Sequence, residues 1–215
     1  MKKTIKTILL SLVGLFLLFC IGAGIFVYKA MYGLPFYDHT PPTLSIDSKD
    51  FAILNFTKTN GFRHGSAIEE STKQLEIMAQ NHNWTLFSTD NAAIFNQDQL
   101  AQFDLVLWNN ATGRNLTDEQ RTAFQQYMEQ GGSFLGIHGS GDFSHHWEWY
   151  ETTLIGANFS HHSLSPQIAD ADMHLECNTT SSFNCQGLPQ LGIAPMNGMC
   201  FQIIQEQRGF RCFTP

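Results

Sequence analysis

The sequence lacks the basic clusters that nucleic-acid-binding proteins carry. Its 215 residues include 12 lysines and arginines against 19 aspartates and glutamates, giving a formal net charge of −7. Positive charge is concentrated only at the extreme N-terminus, where Lys2, Lys3 and Lys6 lie close together. Because binding to a phosphate backbone depends on basic side chains, we expect no nucleic-acid partner.

Cysteine is absent between Asp50 and Glu176. Of the five cysteines, Cys20 lies in an apolar N-terminal run and the other four follow Glu176. No pair has C-x-x-C spacing, which excludes zinc-ribbon and thioredoxin-like sites, and no H-E-x-x-H motif is present. A domain built from this stretch must therefore be held together by its core rather than by disulfides.

The first 28 residues predict a membrane anchor. An uncharged run extends from Thr7 to Tyr28, which exceeds the roughly 20 helical residues that cross a bilayer. The small residues of a cleavage site, Gly22-Ala23-Gly24, lie inside this run, so we predict an uncleaved helix that contacts the membrane through residues 7–28. The lysines ahead of the run place the N-terminus in the cytoplasm and the domain outside, in the periplasm of a Gram-negative cell.

Residues 29–50 have the composition of a linker. They contain Pro35, Pro41 and Pro42 among scattered polar residues, which predicts an extended tether with little contribution to a core. The folded domain is expected to begin near Phe51 and to end near Glu176.

Short apolar runs alternate with helical patterns through this domain. The predicted strands cover residues 51–56, 84–87, 105–108 and 134–137, with a fifth at 168–175 near one edge; the predicted helices lie at 66–82, 97–102, 118–130 and 146–155. Ser66 with Glu69 and Thr117 with Gln120 have the spacing of capping boxes at two helix starts. The alternation predicts an α/β fold with a doubly wound, mostly parallel sheet, preceded by one transmembrane helix.

Polar side chains follow each predicted strand where it ends. They are Thr57, Lys58, Asn60, Arg63 and His64; Thr89 and Asp90; Asn109, Asn110 and Thr112; and His138, Ser140 and Asp142. Because doubly wound sheets bind ligands outside the carboxyl ends of their strands, this edge is the candidate site.

His138 occupies the position where related sheets carry a nucleophile elbow. The sequence there is Gly136-Ile137-His138-Gly139-Ser140, with no cysteine and no G-x-S-x-G frame. Serine hydrolase chemistry and cysteine-dependent amidotransfer are therefore excluded. What remains is proton transfer or hydrogen bonding near neutral pH, or binding of a divalent metal such as zinc by His138 and His162 with a carboxylate such as Asp142.

The aromatic residues Trp147, Trp149 and Tyr150 allow two interpretations. They either form a platform on which a sugar ring stacks or begin a helix whose rings face the core.

From Phe51 to about Glu176 the sequence resembles the ThuA-like proteins, which are named for trehalose utilisation and are similar in fold to class I glutamine amidotransferases and flavodoxin. The matching motifs are T-K-T-N-G-F-R-H at 57–64, N-A-T-G-R-N-L-T-D-E-Q at 110–120, G-G-S-F-L-G-I-H-G-S-G-D at 131–142, W-E-W-Y at 147–150 and L-I-G-A-N-F-S-H-H at 154–162.

The resemblance implies a carbohydrate as the small-molecule ligand, in the metabolism of trehalose-type disaccharides or keto-sugars. It implies catalytic roles for His138, His162 and Asp142, and substrate contacts for Lys58, Arg63 and His64. Asn110, which follows a predicted strand, and Trp149, as a stacking ring, are the further candidates for substrate contact. The rival hypothesis is a carbohydrate-binding or scaffold domain without catalysis. Neither the cofactor nor the oligomeric state follows from the sequence.

The C-terminal segment departs from the family pattern, which continues with T-D-E-W-Y-x-F where this chain has Ala194 to Phe201. Joining the last base of each codon to the first two of the next restores that pattern. In this shifted frame the codons of Met196 and Asn197 together encode only glutamate, and those of Met199 and Cys200 encode only valine. The remaining codons of this stretch permit D-E-W-Y-V. We therefore predict a frameshift between about Cys177 and Gln190, which makes 177–215 an out-of-frame tail without helix or strand periodicity and leaves the site incomplete.

Resequencing the gene tests this prediction. We expect a one-base discrepancy within the codons for 177–190 that restores D-E-W-Y-V downstream. A gene sequence that encodes the present C-terminus without a frameshift would contradict the hypothesis.

Overall fold

The computed structural model describes residues 2–46, 51–156 and 159, together with three short strands at 169–171, 194–196 and 202–204. Helix α1 covers Lys2–Tyr32 and contains a window of mean hydropathy 2.7, so it is long and apolar enough to cross a membrane. The predicted N-terminal helix is therefore present, and it continues four residues beyond the predicted span.

Four parallel strands with flanking helices form the domain, which confirms the predicted α/β fold. The strands are β1 (Ala52–Phe56), β2 (Thr85–Thr89), β3 (Leu105–Asn109) and β4 (Ser133–Ile137), and the helices are α2 (Gly65–His82), α3 (Gln97–Leu100) and α4 (Asp118–Glu129). The strand order is β2-β1-β3-β4, so β1 and β3 lie side by side in the middle and the chain crosses over β1 on its way from β2 to β3.

One face of the sheet carries an apolar core. Phe56 and Trp108 from β1 and β3 pack with Phe95 and with Phe124 of α4, and none of the four side chains is more than 1% exposed. Ala123, Phe124 and Tyr127 of α4 recur at helical spacing and are buried, as that spacing predicts. The capping box of Thr117 and Gln120 is also confirmed, since both of its hydrogen bonds are present.

The opposite face meets α2 through a polar seam of four side chains, Asn55, Asn109, Ser71 and Thr72. Asn55 Nδ2 lies 3.1 Å from Thr72 Oγ1, and Asn109 Nδ2 lies 3.2 Å from the same oxygen. The hydroxyl of Ser71 donates to Asn109 Oδ1 at 2.7 Å. Both asparagines are fully buried, so these hydrogen bonds hold α2 where apolar packing is sparse.

The start of α2 differs from the prediction. The predicted capping box of Ser66 and Glu69 is wrong, because the helix already begins at Gly65 with His64 as its N-cap, and no side chain in the described part of the chain caps it. The carbonyl of His64 accepts from the amide of Ile68 at 3.0 Å, which places Ser66 inside the first turn. Met78 follows Ile68 at helical spacing, but it is 46% exposed and does not share the buried side of the helix.

The segment predicted as a free tether instead packs on the domain. Residues 33–46, which we call the strap, are extended, but the amide of Leu34 donates to Asn60 O at 2.9 Å and Gln99 Nε2 donates to Pro42 O at 2.7 Å. Leu44 and Ile46 of the strap pack against the core.

The later elements are partly as predicted. Residues 149–155 are helical but form a π-helix, Trp149–Ile155, within the predicted 146–155. Strand β5 (Ala169–Ala171) lies within the predicted fifth strand, but it pairs antiparallel with β6 (Ala194–Met196) in a separate two-stranded sheet. Strand β7 (Gln202–Ile204) pairs antiparallel with β4. The predicted out-of-frame tail thus contains two three-residue strands.

The polar seam yields a stability prediction. Changing Thr72 to Val keeps the shape of the side chain but leaves the amides of Asn55 and Asn109 without their shared partner. We expect the free energy of unfolding to fall by about 1–3 kcal/mol, as measured by urea denaturation of the full chain in detergent. Thr122→Val on the exposed side of α4 is the matched control and should change it little; equal effects would contradict a structural role for the seam.

Candidate functional site

The candidate site is built from loops that follow β1, β3 and β4 at the carboxyl edge of the sheet. The first two loops are joined directly, because Thr59 bridges to Thr112 and the amides of Asn60 and Gly61 both donate to Thr112 O, at 2.9 and 3.1 Å. These loops meet between β1 and β3, where the direction of strand order reverses. In open α/β sheets this is the expected place for a ligand.

Gly113 permits the close approach of these loops. Its φ is +84°, and a Cβ atom at this position would collide with the backbone of Gly61 and Asn60. The amide of Gly113 donates to Ser144 Oγ at 2.6 Å, which ties the loop after β3 to the turn after β4. No residue other than glycine fits both the conformation and the space.

Two histidines meet at this edge. His138 Nε2 lies 3.4 Å from His64 Nδ1, and the two rings are 4.3 Å apart between centroids and nearly perpendicular. A hydrogen bond between them requires one ring nitrogen to donate and the other to accept, so at least one of the pair is neutral. Both rings are half-buried. Such a pair can hold and pass a proton near neutral pH.

His138 and Asn110 have unusual backbones at the ends of adjacent strands. Their φ values are 48° and 54°, in the left-handed region that side chains other than glycine rarely adopt. The sharp turn expected at the elbow position is thus present at His138. Strain of this kind persists where the surrounding structure enforces it and is concentrated at functional sites.

Asn110 is fully buried beside the turn that carries His138. Its amide nitrogen donates to Ile137 O at 3.2 Å, and its Nδ2 donates to Asn109 Oδ1 at 3.0 Å. Its Oδ1 is buried and has no hydrogen-bond partner among the described residues. A buried polar atom that lacks a partner is uncommon and marks a position able to accept from a ligand.

The carboxylate of Asp142, predicted to be catalytic, is engaged within the protein. Its Oδ1 accepts from the amide of Ser144 at 2.9 Å and also from the hydroxyl of Ser144. It lies 3.7 Å from Nε2 of His145. Asp142 therefore fixes the turn that follows His138 and, through Ser144, the loop of Gly113.

His145 is a site-building residue that the sequence analysis did not single out. It is 2% exposed, with Nδ1 at 3.1 Å from Gly113 O and Nε2 at 2.9 Å from Ser140 O. Burial lowers its pKa, although Asp142 and the two carbonyl groups act in the opposite direction. Through its two ring nitrogens His145 joins the loop of Gly113 to the turn of Ser140. In the sequence, only the adjacent pair His145-His146 indicated that His145 has a role at the site.

The predicted cationic residues have different environments. Lys58 Nζ lies 2.6 Å from Asp38 Oδ2 of the strap, an oxygen that also accepts from the amide of Ala92 at 2.8 Å. Arg63 is exposed, and its contacts with Thr57 O and Thr59 Oγ1 are long, at 3.4 Å each. Of the two, Arg63 is the one whose charge is directed to the surface.

Trp149 lies with the core aromatics. Its ring is 5.1 Å from that of Trp147 and 6.3 Å from that of Phe124, with Trp147 and Trp149 both half-buried. Of the two interpretations of these aromatic residues, the structure supports the core-facing one.

The metal site stays a prediction. The described residues contain no group of three His, Cys, Asp or Glu side chains placed to hold a metal ion, and His64 with His138 supplies two nitrogens. His162, the other predicted ligand, lies outside the described residues.

Comparison with known proteins supports the predicted resemblance. A family model described as ThuA, trehalose utilisation, matches residues 52–203. The match extends past Glu176, where we expected the resemblance to end, and into the predicted tail. No curated protein sequence matches the chain.

A solved structure shares the fold. The crystal structure of a ThuA-like protein from Bacteroides uniformis matches with a TM-score of 0.53 at 22% sequence identity. The match covers 76% of this chain and 65% of that one, so this chain spans about two thirds of the length of its structural neighbour.

The left-handed backbone of His138 yields a second prediction. Glycine adopts this conformation without strain and alanine does not, so His138→Gly should be more stable than His138→Ala by about 1 kcal/mol in urea denaturation. At Thr122, in the regular helix α4, the order should reverse, with the alanine variant more stable than the glycine variant by about 1 kcal/mol. The same order at both positions would show that His138 is not held in this conformation.

Proposed function

This chain belongs to the ThuA family, and we propose that it is a membrane-anchored protein whose domain acts on a sugar or oxidised sugar, of the trehalose or keto-sugar type, by proton transfer at the carboxyl edge of its sheet. The contact between His64 and His138 at the carboxyl edge of the sheet carries this proposal. The description of the matching family, trehalose utilisation, supports a carbohydrate as the class of substrate.

His138 is assigned the central role because its backbone is constrained and its ring meets a second imidazole. A histidine whose partner can accept or donate a proton is suited to general acid–base catalysis on a hydroxyl or on a carbon next to a carbonyl group. The buried Oδ1 of Asn110 can accept from a substrate hydroxyl, and the exposed guanidinium of Arg63 can orient a carbonyl or anionic group.

Asp142 and Lys58 are assigned structural roles, and His162 lies outside the described residues. Asp142 positions the turn of Ser144 and His145 rather than touching substrate, and Lys58 anchors the strap through Asp38. His162 keeps its proposed role as a second proton-transfer group or metal ligand. A divalent metal remains one way in which His138 and His162 would polarise a substrate oxygen.

A binding module without catalysis is the second candidate. The engagement of Asp142 by Ser144 and of Lys58 by Asp38 favours it, because both charged groups already have partners within the protein. If the tail is out of frame, the acidic and aromatic segment of the family is also missing from this chain, and activity should be weak until the frame is corrected.

Turnover separates the two candidates. We expect the frame-corrected protein to convert trehalose-type disaccharides or 3-keto sugars, and His138→Ala to abolish conversion because it removes the proton-transfer group. The matched control is His146→Ala, since His146 has the same left-handed φ of 48° but is exposed, and this variant should retain activity. Sugar binding that persists in His138→Ala, with no turnover by the parent, would support the binding module instead.

A further inference from the structure

The membrane helix leads directly into the candidate site. Its last residue is Tyr32, and Gly33 is buried so closely against the loop after β3 that a Cβ atom there would lie 2.8 Å from Gly113 Cα. The next amide, of Leu34, donates to Asn60 O. The ring of Tyr32 stacks on that of His146, with centroids 6.2 Å apart. No spacer separates α1 from the loops that carry His64 and His138.

The length of α1 fixes how near those loops lie to a bilayer. The uncharged run from Thr7 to Tyr28 is about 33 Å long at 1.5 Å per residue, against about 30 Å for the hydrocarbon core. Residues 29–32 add only about 6 Å, whereas the headgroup region is roughly 5–7 Å deep on each side. If α1 spans a membrane, Gly33 and the loops packed on it begin within or at the border of the headgroups.

The side chains around this junction have the composition of a membrane interface. The exposed apolar and aromatic residues are Met31 (44%), Tyr32 (47%), Phe36 (66%), Tyr37 (38%) and Phe62 (47%), and the exposed cations are Lys29, Arg63 and Arg114. We call this set the juxtamembrane surface. Aromatic rings are enriched at the level of the headgroups, and arginine binds phosphate oxygens with two parallel hydrogen bonds.

We propose that the juxtamembrane surface rests on the phospholipid headgroup layer. The carboxyl edge of the sheet and its histidine pair then face the membrane rather than pointing away from it. Phe62 connects the two, since its ring lies 4.9 Å from that of His64. The carbohydrate must then reach the site along the bilayer surface. This inference rests on the membrane anchoring in the proposed function, but not on the reaction.

Depth-dependent fluorescence quenching tests the proposal. The full chain is reconstituted in phosphatidylethanolamine and phosphatidylglycerol vesicles that contain a lipid with a nitroxide on its headgroup. Phe62→Trp introduces a reporter in the juxtamembrane surface, and we expect it to lose emission beyond that of the parent protein's own four tryptophans. Ile77→Trp is the matched control, because Ile77 is 43% exposed and lies about 18 Å along α2 from its first residue; its emission should not be quenched beyond the parent.

The outcomes are distinguishable from failure of the anchor itself. If the chain resists alkaline extraction but Phe62→Trp shows no additional quenching, the membrane anchor is supported and the proposed contact with the headgroups is overturned. Release of the chain by alkaline extraction would overturn the anchor and with it this inference. An emission blue shift of Phe62→Trp in native membranes, without one in pure lipid vesicles, would assign the surface to a protein partner and also overturn the lipid proposal.

Discussion

The close packing of backbone around Gly113 is the constraint on which the site depends. This residue touches the loop after β1, donates to Ser144, accepts from His145 and meets Gly33, the residue that follows helix α1. Four segments far apart in sequence are therefore held within one small volume. The contact between His64 and His138 depends on two of these segments staying together, and the end of α1 meets the site at the same point.

Much of the fold could be predicted because its elements carry local signals. Buried parallel strands are continuous apolar runs, and the pairing of Thr117 with Gln120 determines a helix start within four residues. The wrong capping box at Ser66 has a physical cause. Gly65 can take up helical backbone angles, so the helix begins one residue before Ser66, and nothing in the local sequence prevents that earlier start. The strap was mistaken for a tether because proline marks extended backbone, whereas its attachment depends on distant partners such as Asn60 and Gln99.

The gathering of polar side chains at the carboxyl edge of the sheet was predictable to a similar degree. His138 followed from its position after an apolar strand, and His64 and Asn110 followed from strand ends and the family resemblance. The pairing of Lys58 with Asp38 spans 20 residues, and that of His145 with Gly113 spans 32, so neither has a signature in a short stretch of sequence. Asp142 shows the same limit, because a carboxylate beside a candidate catalytic residue can cap a turn as readily as it can contact a substrate.

The polar seam beneath α2 gives the helix a defined setting. A helix packed only through apolar side chains can slide and rotate on a sheet. Hydrogen bonds are directional, so those of Asn55 and Asn109 form with only one arrangement of Ser71 and Thr72. His64 stands at the tip of that helix. The position of His64 relative to His138 therefore depends on side chains two turns away along α2. The orientation of this helix is set by hydrogen bonds in the interior of the protein.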